Sequence, residues 1–128
     1  MTNKLEIYKC NICGNIVQVL AEGGGALVCC GKEMELQNIQ FDTNELGEKH
    51  SPKIENREDK KFVHVKTHPM TNEHYIQFIQ VQTKDKNEIL TKFFNPEEIP
   101  EIDISNYSYD INAIEYCNIH HLWGMKNN

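Results

Sequence analysis

The chain has 128 residues, 39% of them hydrophobic, and a formal net charge of −6 at pH 7. That length fits one ordinary domain, or one joined to a very small partner, since domains usually run to roughly 100–150 residues. No lysine or arginine cluster is dense enough to follow a phosphate backbone, no apolar run approaches the ~20 residues of a membrane span, and the opening Met1 to Glu6 lacks an apolar signal-peptide stretch. These features argue against nucleic acid and membrane as partners. They lead us to expect the cytoplasm, where thiols stay reduced and grouped cysteines bind metal more often than they form disulfides.

Residues 1–37 form the first predicted unit. Its glycine-rich part, residues 8–37, is framed by Cys10, Cys13, Cys29 and Cys30, with short β-prone pieces at Ile16 to Leu20 and Ala26 to Val28. Fewer than about 40 residues rarely bury enough apolar surface to fold without a metal, disulfides or oligomerisation. A small knuckle-and-hairpin around one ion is therefore expected. A tight C-x2-C turn aims both thiolates the same way. The neighbours Cys29 and Cys30 are unusual, because successive side chains diverge in an extended chain and bringing both sulfurs onto one ion should strain a tetrahedron. Tetrathiolate sites accept iron or zinc.

Residues 38–128 form the second. Residues 38–52 read as a polar, turn-rich connector ending at Pro52, which restrains Ser51 to an extended shape. Runs rich in β-branched and aromatic residues follow at Phe62 to Val65, Tyr75 to Val81, Ile89 to Phe94, Ile102 to Ile104 and Ile111 to Tyr116. Turn formers such as Lys84-Asp85-Lys86-Asn87, Asn95-Pro96 and Ser105-Asn106 separate them, a spacing that predicts an antiparallel sandwich. No segment shows sustained helical periodicity. Ile76 and Phe78 fall on the opposite parity from Ile79 and Val81, so the alternation breaks inside the second run.

Candidate ligands cluster at three places in this half: Glu48-Lys49-His50-Ser51-Pro52, His68-Pro69-Met70 with His74, and Cys117-Asn118-Ile119-His120-His121-Leu122-Trp123. They offer one soft thiolate and at least four imidazole nitrogens, a donor set that suits iron, copper or zinc and not magnesium or calcium. Five candidates exceed a closed tetrahedral zinc site and point to a redox iron. His64, alternating with Val63 and Val65, reads as solvent-facing.

In that order, Glu48-Lys49-His50, His68-Pro69-Met70 with His74-Tyr75-Ile76, and Cys117-Asn118-Ile119-His120 resemble the three signatures of superoxide reductases. Cys10-x2-Cys13-x15-Cys29-Cys30 resembles the extra iron module of the two-iron members, the desulfoferrodoxins. The resemblance implies an all-β protein: a small desulforedoxin-like metal-binding module in residues 1–37, then an immunoglobulin-like β-sandwich in residues 38–128. It implies two mononuclear non-haem irons, one held by Cys10, Cys13, Cys29 and Cys30. The other would have His50, His68, His74 and His120 as equatorial ligands and Cys117 as axial sulfur, leaving a position open. The implied activity is one-electron reduction of superoxide to hydrogen peroxide, fed by a small donor protein such as rubredoxin, in a homodimer. Lys49 would draw the anion in, and Glu48 would occupy the open position of the ferric form. Taken alone, Glu48 and Lys49 also fit ordinary solvated loop charges. A non-catalytic iron electron carrier or redox sensor, or a zinc-loaded structural protein, would fit the same ligands.

Three positions depart from the family pattern. Ser51 stands where an apolar residue is usual, the loop before His68 is short at Lys66-Thr67, and His121 stands where a glycine is usual, at some cost if that position takes a positive φ. His121 also competes as a ligand.

Overall fold

Strands are short where cysteines and glycines interrupt them and long where β-branched residues run on. In the computed structural model, which describes residues 1–41, 45–107 and 110–125, the chain divides into two compact units, Met1–Asn38 and Ile39–Asn128. Among the described residues no helix is long and apolar enough to cross a membrane.

The first unit contains β1 (Ile7–Lys9), β2 (Ile16–Gln18), β3 (Val28–Cys29), β4 (Lys32–Glu33) and β5 (Glu35–Leu36). β1 is the middle strand of the sheet β2-β1-β5, and β3 and β4 form a separate hairpin. Its buried apolar side chains are Leu5, Ile7, Cys10 and Val19. So small a core leaves the cysteines to provide the remaining cross-links.

The second unit opens with α1 (Glu45–His50), followed by β6 (Lys53–Arg57), β7 (Lys60–His64), β8 (Ile76–Thr83), β9 (Ile89–Phe93), β10 (Glu101–Asp103), β11 (Ile111–Cys117) and β12 (His121–Gly124). Two sheets, β10-β7-β6 and β12-β11-β8-β9, share one core: Val63, Val65, Ile102 and Ile104 meet Ile76, Ile79, Val81, Ile111 and Ala113. This is a β-sandwich of three strands on four, of the immunoglobulin-like kind. The broken parity in β8 is a bulge. Tyr116 pairs with Phe78 but Cys117 pairs with Ile76, so Gln77 is the extra residue and both Ile76 and Ile79 reach the core.

Three elements depart from the sequence reading. The connector contains α1, whose six residues are fewer than two turns and cannot display a 3.6-residue period. β6 is the charged edge of its sheet, where charge protects an unpaired strand and hides the alternation. β12 is the return strand of a hairpin that reads as loop because ligands fill its turn. Its last residue, Gly124, is closely packed: a Cβ there would lie 2.6 Å from both Ile39 Cγ2 and Phe41 Cε1.

Gly124→Ala is accordingly expected to destabilise the protein by about 1–3 kcal/mol through overpacking, read as a lowered denaturant midpoint with an unchanged m-value. An unchanged midpoint would show that Ile39 and Phe41 do not hold against that face.

Candidate metal centres

In the first unit the chain folds tightly around Cys10. Its N–H donates to Asn15 O (2.8 Å), its carbonyl accepts from Gly14 N (2.9 Å), and its Sγ accepts from Cys13 N at 3.4 Å. Gly14, at φ 87°, provides the left-handed residue that closes the knuckle. The crowding expected at Cys29-Cys30 is relieved by backbone conformation. Cys29 pairs with Lys32, so Cys30 and Gly31 are a two-residue hairpin loop, with φ of 54° and 75°, the signs of a type I′ turn. A left-handed Cys30 swings its side chain out of the extended alternation, and its Sγ lies 4.0 Å from Cys29 Sγ. Cys13 Sγ is 3.5 Å from Cys29 Sγ, and all four sulfurs lie within 4.8 Å of one another.

Backbone amides of Cys13 and Ile12 hold the Cys10 thiol down to about 6. Cys30, hydrogen-bonded to the Cys13 and Cys10 sulfurs, is pushed up to about 12. The fold prepares one thiolate and resists a fourth, so four sulfurs at these separations need a cation to be charged together.

The second cluster draws on three connections. His50 ends α1, His68 and His74 lie between β7 and β8, and Cys117 and His120 lie at the β11–β12 turn. The imidazoles form a ring: centroids are 4.6 Å apart for His50–His68, 4.6 Å for His68–His74, 5.1 Å for His74–His120 and 4.8 Å for His50–His120. Adjacent rings meet edge to face at 69–86°, and His50 and His74 face each other across the ring at 6.2 Å. His50 Nε2 lies 3.1 Å from His120 Nδ1 and 3.2 Å from His68 Nε2, itself 3.3 Å from Cys117 Sγ. The ligand atoms of His50, His74, Cys117 and His120 lie within 4.8 Å of one another. His68 stands beside that set through its contacts with His50 and Cys117.

The neighbouring groups orient these donors. His50 Nδ1 faces Leu46 O at 2.8 Å, and His68 Nδ1 faces Pro69 O at 2.6 Å. A ring N–H donated to a carbonyl leaves the opposite nitrogen as a lone pair for a metal. His74 Nε2 is buried without a hydrogen-bond partner, which a cation would supply. Trp123 stacks on His50 at 4.8 Å. Burial lowers the pKa of His50 and His74 and takes His68 to about 4, so all three are neutral near pH 7. Burial raises that of the Cys117 thiol, against amide contacts from His120 and Ile119. Four imidazole nitrogens and one sulfur around a common point fit a transition metal.

Glu48 and Lys49 lie exposed in the last turn of α1. Lys49 is near enough for its charge to contribute to the lowered pKa values of His50 and His74. The Glu48 carbonyl accepts from Lys53 Nζ at 2.8 Å and Thr67 Oγ1 at 3.3 Å, which ties the end of α1 to the segment carrying His68. His121 adopts φ 71°; it is exposed, and its Nδ1 lies 3.2 Å from Tyr116 Oη, so it is no competing ligand. Ser51 is buried with an unpartnered hydroxyl. His64 is a correction: its side chain is only 12% exposed, 3.9 Å from Glu55.

Sequence reasoning missed Glu115. It is fully buried, neither carboxylate oxygen has a hydrogen-bond partner, and burial raises its pKa well above the carboxylate range. The signal was its parity with Ala113 and Cys117 on the core face of β11.

Residues 2–37 match the family model described as desulfoferrodoxin, N-terminal domain, and residues 42–126 match that described as desulfoferrodoxin. A desulfoferrodoxin homolog of Archaeoglobus fulgidus is 42% identical over 125 residues, covering 96% of this chain and 98% of that protein. The superoxide reductase of Treponema pallidum shares the fold, with a TM-score of 0.71 at 24% identity over 98% of this chain and 100% of that one. A single-residue variant of the superoxide reductase (neelaredoxin) of Ignicoccus hospitalis superposes with a TM-score of 0.50 at 28% identity, over 65% and 81% of the two chains. The four-sulfur set and the imidazole–thiolate set fit the two iron sites of desulfoferrodoxins.

The depressed imidazole of His68 has a measurable consequence in metal-free protein. The unfolded chain takes up a proton near pH 6.5 and the folded chain only near 4. Stability is therefore fully present above about pH 6.5 and falls as pH drops toward 4, by up to roughly 3 kcal/mol for this group. Urea titrations at stepped pH should show a steeper loss for wild type than for His68→Gln; equal slopes would refute the burial of a neutral His68.

Proposed function

The chain belongs to the desulfoferrodoxin family, and from that premise we propose that it is a superoxide reductase whose reaction takes place at the imidazole–thiolate centre. The observation that carries the reading is the ring of four imidazoles set edge to face around one point, with the Cys117 sulfur against it. In this reading His50, His68, His74, His120 and Cys117 hold one iron, and Cys10, Cys13, Cys29 and Cys30 hold the other. Ferrous iron held at the imidazole–thiolate site would supply the one electron that, with two protons from solvent, takes superoxide to hydrogen peroxide.

The protein's own groups shape that chemistry. Cys117, as thiolate, is the strongest electron donor of the set and favours release of the product. Its charge is steadied by the His120 and Ile119 amides, against burial and the nearby carboxyl of Glu115. Lys49 creates local positive potential in a chain of net charge −6, and local potential governs the encounter with an anion. Glu48, next to it, provides a carboxylate that closes the same side after peroxide has left. Pro52 and Pro69 stiffen the segments carrying His50 and His68.

Electrons enter from a small donor protein such as rubredoxin, with the four-cysteine iron as accessory store. Exposed Val17, Leu20 and Val28 in the first unit support pairing of two copies, and five free cysteines support a reducing, cytoplasmic setting. The alternative is a non-catalytic iron electron carrier or redox sensor, favoured by the exposed sulfurs of Cys13 and Cys30. Pulse radiolysis separates the two, because only a reductase consumes superoxide in a second-order step approaching the diffusion limit of about 10⁹ per molar per second.

Two substitutions test the assigned roles. Lys49→Ala should slow the second-order step by roughly tenfold at low salt and flatten its ionic-strength dependence, while Glu48→Ala leaves the encounter rate nearly unchanged. A wild-type rate in Lys49→Ala would return that lysine to a solvated charge. Cys117→Ser should lose both the sulfur-to-iron charge-transfer band and turnover; retention of both would remove Cys117 from the ligand set.

A further inference from the structure

Asn118 follows Cys117 directly and precedes His120 by two residues, at the start of the turn that carries both. The bulge at Gln77 shifts β8 out of register just after His74 and Tyr75, so the backbone ladder cannot continue regularly past Cys117. Asn118 continues it in another way. Its N–H donates to Tyr75 O at 3.1 Å, and its side-chain Oδ1 accepts from Tyr75 N at 2.9 Å, standing in for a backbone carbonyl that has turned away into the hairpin. Its Nδ2 donates to Glu73 O at 3.1 Å. The two residues joined are the immediate neighbours of His74, one on each side.

Apart from this, His74's own backbone closes, among the described residues, on Thr71. Thr71 N donates to His74 O at 3.0 Å, and His74 N donates to Thr71 O at 3.3 Å and to Thr71 Oγ1 at 3.1 Å. That local turn does not fix where the imidazole stands relative to the sulfur. We propose that Asn118 is the positioning residue of the centre: its amide splints both flanks of His74 to the Cys117–His120 turn and so sets the His74 nitrogen against the Cys117 sulfur. The inference rests on the reading of His74 and Cys117 as ligands of one iron. It makes His74 the first ligand to be lost when the splint is removed, since His50 and His68 are anchored separately through Leu46 O and Pro69 O.

The test is competition for ferrous iron between a chelator and the full-length protein, with the sulfur-to-iron charge-transfer band as a second readout and the four-cysteine iron of the same chain as internal control. Asn118→Ala removes both side-chain arms, and its affinity at the second site should fall by about 10- to 100-fold, with a shifted charge-transfer band. The first site should be unchanged. Asn118→Asp keeps the acceptor for Tyr75 and loses the donor to Glu73; it disturbs the fold less than Asn118→Ala and should still lose about tenfold in affinity. A lowered melting temperature with wild-type affinity and band in either folded variant would overturn the proposal, because a residue that only supports the fold leaves the loaded centre unchanged. Absence of the band in the wild type would instead overturn the ligand assignment on which the proposal rests.

Discussion

Imidazole nitrogens that face one another at 3.1–3.2 Å are the constraint on which the second unit is built. Such an arrangement can load a metal only if the inward nitrogens are unprotonated and turn their lone pairs to one cation. The fold meets the first condition by burial, which depresses His50, His68 and His74, and by carbonyls of Leu46 and Pro69 placed at the far nitrogen of two rings. A carbonyl at the far nitrogen keeps the proton there and leaves the inward nitrogen as a lone pair, which is why the orienting carbonyls matter as much as the donors themselves.

The two units reach metal-binding geometry by different physics. In the first, short-range backbone conformation does the placing: a left-handed Gly14 closes one pair of sulfurs and the Cys30-Gly31 turn opens the other. Cys10 is buried, but Cys13 and Cys30 stay exposed because the unit has too few apolar side chains to cover them. In the second, a sandwich core of isoleucine and valine fixes strand ends that lie far apart in sequence, and the connections carry the ligands.

The β11–β12 hairpin is where these demands meet. Cys117 pairs with His121, leaving Asn118, Ile119 and His120 as a three-residue loop closed by a left-handed His121, the position for which glycine is the ordinary choice. His120 O accepts from both Trp123 Nε1 at 2.9 Å and Gln40 Nε2 at 2.8 Å, so the loop is tied to the strand that follows it and to residue 40 before α1. The contact between His121 and Tyr116 offsets part of the strain of placing a side chain at positive φ.

Residue types and spacings were enough to pick out the ligand candidates, because donor chemistry is a property of each side chain and C-x2-C or Cys-x2-His fixes two donors through a few covalent bonds. They were also enough for a sandwich, since runs of β-branched and aromatic residues set apart by turn formers are a local signal. Other features were decided only by tertiary structure. The break in β8 became a bulge through its pairing with β11, α1 is too short to have a period, and β6 is disguised by the charge that an edge requires. His120 presents Nδ1 where His50 and His68 present Nε2, a choice set by the direction from which the hairpin approaches. Asn118 gave no signal of its role in sequence because it acts through Glu73 and Tyr75 across the sheet, and Glu115 because its burial depends on the packed core. Covalent spacing determines which donors travel together along the chain; which of them share a point in space depends on the packing of a core whose residues lie tens of positions away.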